Sequence, residues 1–116
     1  MSLCIYHNPR CSKSRETLAL LEARQLQPEV VTYLTTPPDV ATLRELVQML
    51  GVNSIRQLMR TKEAVYLELG LGDATLDEEA LLQAVHEHPI LLERPIVIKD
   101  GQARIGRPPE LVLELL

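Results

Sequence analysis

Apolar positions come in short runs near the two ends of this chain and recur at helical spacing through its middle. Leu3 to Tyr6 is a short apolar run closed by Asn8-Pro9, which predicts a buried first strand ending in a turn. Ser12 to Gln25 then predicts a helix with Ser14, Leu18 and Leu21 on one side. Glu29 to Leu34, rich in Val, Thr and Tyr, predicts a second strand. A strand–helix–strand run of this size favours parallel pairing through a right-handed crossover.

The middle of the chain predicts helices. Thr36-Pro37-Pro38-Asp39 is a start signal, with Thr36 as the cap, Pro37 at the first helical position and Asp39 favoured by the positive helix end. Val40, Leu43, Val47 and Leu50 follow at helical spacing, and Gly51 is the stop. Ser54 to Arg60 predicts a short helix capped by Ser54 and Gln57, and Glu63 to Leu69 another ended by Gly70. Thr75-Leu76-Asp77-Glu78 has the form of a capping box. It opens a helix with Leu81, Ala84, Val85 and His88 on one face, ended by Pro89. Pro95 to Ile98 is a β-branched run, Asp100-Gly101 a hairpin turn signal and Ala103 to Ile105 a matching strand. Arg107-Pro108-Pro109-Glu110 opens a last helix carrying Val112, Leu115 and Leu116. The order is β-α-β, several helices, then β-β-α: an α/β chain with a mixed sheet, expected as a single domain over residues 1–116.

Composition narrows the function classes. The chain is 46% hydrophobic but has no Phe and no Trp, so Leu, Val and Ile must fill the core. A net charge of −4 gives no bulk attraction to nucleic acid. No apolar stretch approaches bilayer-spanning length, and the first residues lack a basic region followed by a long apolar segment. A cytoplasmic monomer that binds neither membrane nor nucleic acid is expected. Two cysteines do not make a disulfide framework, and an activated cysteine in that setting signals catalysis or metal binding.

Cys11 is the candidate. It lies in His7-Asn8-Pro9-Arg10-Cys11-Ser12-Lys13-Ser14-Arg15, after the first strand and at the start of the first helix. An ordinary cysteine titrates near ~8.5 and is mostly thiol at neutral pH. A helix N-terminus offers unpaired N–H groups and partial positive charge. Arg10, Lys13 and Arg15 add formal charge nearby, so a thiolate is expected. Cys4 lies inside the predicted strand, sharing a face with Tyr6 and with nothing basic adjoining, and is expected in the core. Position 14 is Ser, so there is no C-x-x-C. A sulfur bond formed at Cys11 would need an external thiol to resolve it.

Two other chemistries fit poorly. Cys4, His7 and Cys11 are possible zinc ligands, but strand alternation separates Cys4 from His7 and no fourth ligand follows at a typical spacing; no metal is expected. A cysteine phosphatase loop needs Arg six positions after the cysteine, and position 17 is Thr. His7 either hydrogen-bonds or tunes the thiol, or serves as a turn or capping histidine. Arg60, Arg94 and Arg107 each stand at an element boundary. Guanidinium forks suit tetrahedral oxyanions, but local sequence alone also allows three solvated surface charges.

His7-Asn8-Pro9-x-Cys11-x-x-Ser14-Arg15, Leu58-Met59-Arg60, His88-Pro89-Ile90-Leu91, Glu93-Arg94-Pro95-Ile96-Val97 and Gly106-Arg107-Pro108-Pro109-Glu110, taken in order, resemble the glutaredoxin-dependent arsenate reductase (ArsC) family. The similarity is to its short, YfgD-like branch. It implies a thioredoxin-like fold with a helical insertion and a cis Arg94-Pro95 peptide. It further implies Cys11 as nucleophile, Arg60, Arg94 and Arg107 as oxyanion ligands, and His7 and Ser14 as residues that tune or contact the thiolate, with Arg15 a weaker match. Arg10 stands where that family usually has a smaller residue. The implied activity is reduction of arsenate, or a similar oxyanion, to arsenite. Glutathione would be the co-substrate, glutaredoxin the partner, and no cofactor would stay bound. Two alternatives share the resemblance. One is a glutathione-dependent thiol–disulfide reductase. The other is a non-enzymatic redox regulator resembling the Spx proteins, which typically carry a second cysteine where Ser14 stands here.

Overall fold

The computed structural model describes residues 3–116. The chain forms two compact units: the segment up to Thr36 together with Arg94–Leu116, and Pro37–Glu93.

The first unit is a four-stranded sheet with helical cover. Its strands are β1 (Leu3–Tyr6), β2 (Glu29–Val31), β3 (Ile96–Lys99) and β4 (Gln102–Ile105), in the order β2-β1-β3-β4. β1 and β2 pair in parallel, as the β-α-β pattern predicts, with Ile5 opposite Val30. β3 runs antiparallel to β1 and sets Val97 opposite Ile5. A two-residue hairpin joins β3 to β4, with Asp100 at φ 50° and Gly101 at φ 83°. Positive φ at both central residues matches the right-handed strand twist, and an Asp-Gly pair tolerates it. Helix α1 (Ser12–Ala23) connects β1 to β2. Leu21 of α1 and Val112 and Leu115 of a closing 3-10 helix, Pro109–Leu115, pack on Ile5 and Val97. This aliphatic cluster does the work that aromatic rings do in many cores.

Two elements of this unit are shorter than the residue pattern predicts. α1 stops at Ala23 rather than Gln25 because Gln25 adopts a left-handed conformation at φ 62°. The amides of Gln25 and Leu26 then bond back to Glu22 O and Leu21 O. That is a Schellman closure without its usual glycine, held by Leu26 packing on the core cluster. β2 ends at Val31 because Thr32 O accepts the amides of Thr35 and Thr36, both at 3.0 Å, turning the chain before Leu34.

The second unit is helical: α2 (Val40–Leu50), a 3-10 turn Ile55–Leu58, α3 (Ala64–Glu68), α4 (Glu78–Glu87) and a 3-10 turn Pro89–Leu91. Leu43 and Leu46 of α2, Ile55 and Leu58, Leu81, Leu82 and Val85 of α4, and Leu91 are fully or almost fully buried. Both expected N-caps move three or two residues on. Asp39, not Thr36, caps α2 by accepting from Thr42 N at 2.8 Å, and Asp77, not Thr75, caps α4 through Ala80 N at 2.8 Å. Asp39 is itself extended, at φ −77° and ψ 173°, so the first helical turn begins later than Pro37 suggests. Glu78, the expected capping-box acid, instead receives Ser54 Oγ and Ile55 N, each at 2.8 Å, tying α4 to the preceding turn. Gly51 caps α2 in the left-handed region, as expected.

The sheet order, the α1 crossover and the antiparallel hairpin make this a thioredoxin-like fold, with the helical segment inserted between β2 and β3.

Candidate active site

Cys11 is the N-cap of α1, with extended backbone at φ −95° and ψ 123°. Cys11 N donates to Asn8 O at 3.0 Å, and Cys11 O accepts Arg15 N at 3.0 Å, so the residue belongs both to the loop and to the first helical turn. Its sulfur thereby faces the open end of the helix, where amides lack intrahelical partners. The side chain makes no capping hydrogen bond of strict geometry. Burial pushes the thiol up, but the backbone N–H of Ser14, the Arg94 guanidinium, the backbone N–H of Lys13 and the Arg107 guanidinium together hold it below the ordinary cysteine value. The partial positive charge at a helix N-terminus favours the ionised form of a group placed at its cap.

The source of charge differs from the sequence expectation. Arg10, Lys13 and Arg15 surround Cys11 in the chain, yet Lys13 acts through its amide, while its ammonium sits 3.4 Å from Glu16. Arg15 donates to Pro9 O at 2.9 Å and straps the loop rather than serving the sulfur. The formal charges on the thiol come from Arg94 and Arg107. Arg107 Nη2 lies 3.6 Å from Cys11 Sγ, and its Nε donates to Arg94 O at 2.8 Å. That second bond orients the guanidinium fork, with one edge spent on the backbone and another on the sulfur. Nε and Nη1 of Arg94 are buried. The Arg94-Pro95 peptide is cis, as the resemblance implied, and Arg107-Pro108 is cis as well.

His7 and Ser14 are brought together, but not on the sulfur. His7 Nδ1 and Ser14 Oγ are 2.6 Å apart and buried, and Asn8 N donates to the same hydroxyl at 3.0 Å. Desolvation and the nearby Arg15 charge lower the His7 pKa, against an opposing effect of Glu22. A neutral ring and a hydroxyl that already accepts one N–H form a lock between the end of β1 and α1. The loop residue Asn8 closes it further, its Oδ1 accepting Arg10 N at 3.0 Å. Ser14 therefore reaches Cys11 through its amide.

Arg60 lies in the helical unit. Its amide donates to Leu91 O at 2.7 Å, and its guanidinium sits 2.9 Å from Glu63. Cys4 is half-buried, and desolvation followed by the Glu29 charge pushes its thiol up to about 11. It is a protonated thiol, opposite in character to Cys11.

Two supporting residues carried no role in the sequence reading. A Cβ on Gly106 would meet Thr17 Oγ1 at 2.6 Å and Pro95 Cγ at 2.9 Å, so the strand end that delivers Arg107 passes flush against α1 and Pro95. Thr17 is fully buried there, its hydroxyl donating to Lys13 O at 2.8 Å. A glycine and a threonine beside known motif residues give no local signal of such a close approach, because it depends on tertiary packing. Among the described residues no group of three His, Cys, Asp or Glu side chains is placed to hold a metal ion. No helix among them is long and apolar enough to cross a membrane.

The chain is similar to known proteins over nearly its whole length. The YfgD protein of Escherichia coli K12 is 63% identical over 112 residues, spanning 97% of this chain and 94% of that one. A Neisseria meningitidis protein named arsenate reductase is 53% identical over 97% of this chain and 96% of its own. The structure of an arsenate reductase from Vibrio cholerae superposes with a TM-score of 0.98 at 59% identity, covering 100% of this chain and 98% of that one. The sequence model of the ArsC family matches residues 6–115, and the chain belongs to the ArsC family.

Proposed function

We propose that this protein reduces arsenate to arsenite through Cys11, using glutathione and glutaredoxin as the source of electrons. The observation that carries the reading is the Arg107 guanidinium 3.6 Å from a thiol held below its ordinary pKa. A nucleophile and a charge-assisted oxyanion donor thus share one place. The names of the relatives support arsenate as the oxyanion.

In this reading the Cys11 thiolate attacks arsenic(V), and one arsenate oxygen leaves as water or hydroxide. Arg94 and Arg107 hold the remaining oxygens, and the family resemblance adds Arg60 to that set. Arsenic is still pentavalent in the resulting Cys11–arsenic bond. Glutathione then supplies the second sulfur. Two electrons pass to arsenic, arsenite leaves, and the two sulfurs join as a Cys11–glutathione disulfide. Glutaredoxin reduces that disulfide by thiol exchange. Cys4, protonated and away from the helix end, is a poor resolving thiol, which favours an outside reductant. Such chemistry belongs to a reducing, cytoplasmic setting and needs no bound cofactor.

The test is arsenate-dependent NADPH consumption with glutathione, glutaredoxin and glutathione reductase supplied. Wild type is expected to show it and Cys11→Ser to show none. Arg107→Ala is expected to lose about 100-fold in kcat/KM for arsenate, as removal of one oxyanion donor does elsewhere. No arsenate stimulation, with turnover of a glutathionylated substrate, would assign the site to thiol–disulfide reduction instead.

A further inference from the structure

We propose that the groove between the His7–Arg10 turn and the Thr32–Thr35 turn is the subsite for a small carboxylate-bearing peptide thiol, with Arg10 receiving its carboxylate. The inference rests on the reading that Cys11 exchanges with an external thiol.

The groove is open and about 370 Å³ in volume, and it lies against the loop that ends at Cys11. That volume suits a small organic molecule rather than a macromolecular surface. Arg10 is the only formally charged residue among its lining side chains, and no carboxylate lines it. The three basic side chains of the Cys11 segment are committed differently. Lys13 sits with Glu16, and Arg15 donates to Pro9 O. Arg10 uses only its backbone amide, on Asn8 Oδ1, and no described residue accepts from its exposed guanidinium. Nor is Arg10 among the charges acting on the Cys11 sulfur. A cation next to a reactive cysteine that serves neither the sulfur nor the loop is positioned for an incoming anion.

The opposite wall offers an acceptor. Thr35 Oγ1 donates to Thr32 O at 3.0 Å, which uses its one proton. The Thr32 hydroxyl therefore donates to Thr35 Oγ1, 3.1 Å away, and keeps its lone pairs for an outside N–H. A cation on one side and a hydroxyl acceptor on the other match a molecule carrying both a carboxylate and an ammonium or amide. Leu34, 37% exposed, gives the groove an apolar surface for the methylene stem.

The test is the rate at which the full chain exchanges with two disulfides, oxidised glutathione and uncharged hydroxyethyl disulfide. In each case the Cys11 thiolate attacks one sulfur, a Cys11 mixed disulfide forms, and one thiolate leaves. Arg10→Ala is expected to slow exchange with oxidised glutathione by about fivefold, the upper range for one exposed ion pair. Arg10→Glu should slow it further. Exchange with hydroxyethyl disulfide should stay at the wild-type rate, and added salt should erase the difference. Equal slowing with both disulfides would mean Arg10 acts on the thiol and would overturn the proposal. So would an unchanged rate with oxidised glutathione. The exchange uses no arsenate. A protein inert toward arsenate but selective in this assay would therefore sink the proposed reaction and keep the subsite, and the converse result would do the opposite.

Discussion

The two cysteines are the same functional group placed in opposite surroundings. Cys11 is 8% exposed and Cys4 more so, which by access alone would make Cys4 the faster to react. Ionisation reverses the order. Cys4 is pushed to about 11 by desolvation and Glu29, whereas amides and two guanidiniums outweigh burial at Cys11. Limited iodoacetamide at pH 7 followed by peptide mapping should therefore label Cys11 first, by about tenfold or more. Preferential labelling of Cys4 would show that access, not charge, governs this protein. Ser14 gives a second test at this scale. Its hydroxyl locks His7 and Asn8, while its amide serves the sulfur. Ser14→Ala should cost about 1–3 kcal/mol, the usual penalty for orphaning a buried polar partner. The thiol pKa, followed by thiolate absorbance, should scarcely move; a large rise would place the hydroxyl on the sulfur.

Elements were legible in the chain where one strong local signal stood alone, and less so where two competed. β1, the Asp100-Gly101 turn and the Gly51 stop fall where the residues put them. α2 is different, because Thr36 and Asp39 are both competent caps and only Asp39, itself extended at φ −77° and ψ 173°, takes a helix amide. Asp39→Ala should lower the thermal midpoint by about 4 °C, and Thr36→Ala by about 1 °C or less, since only Asp39 accepts a helix amide. Equal shifts would return the cap to Thr36. The final helix shows what periodicity misses altogether. Val112 and Leu115 are buried as expected, but the backbone from Pro109 to Leu115 is 3-10. Spacings of three residues satisfy both helix types.

At the scale of the whole molecule, the site depends on long-range placement. Arg107 and Cys11 are 96 positions apart and meet because the chain leaving β4 passes at Gly106 flush against Thr17 of α1. No spacing rule reaches that far, so on local grounds Arg94 and Arg107 were indistinguishable from surface charges; only the ordered set of family segments singled them out. The burial that builds this site also sets how stability varies with pH. His7 has a lowered folded pKa, so its contribution is present above ~6.5 and is lost as pH falls through and below that value. Cys11 is likewise lowered, so it adds stability as pH rises from its folded pKa toward ~8.5. Cys4 is raised to about 11, so its contribution is full below ~8.5 and is lost as pH climbs toward 11. Urea unfolding across pH should therefore peak between neutral and mildly alkaline pH. The two cysteines should separate by variant. Relative to wild type, Cys11→Ser should lose the gain between pH 7 and ~8.5, and Cys4→Ala should flatten the decline above ~8.5. If the alkaline decline is unchanged in Cys4→Ala while Cys11→Ser flattens it, the thiol assignments are reversed. The thiolate chemistry proposed for the helix end would fall with them.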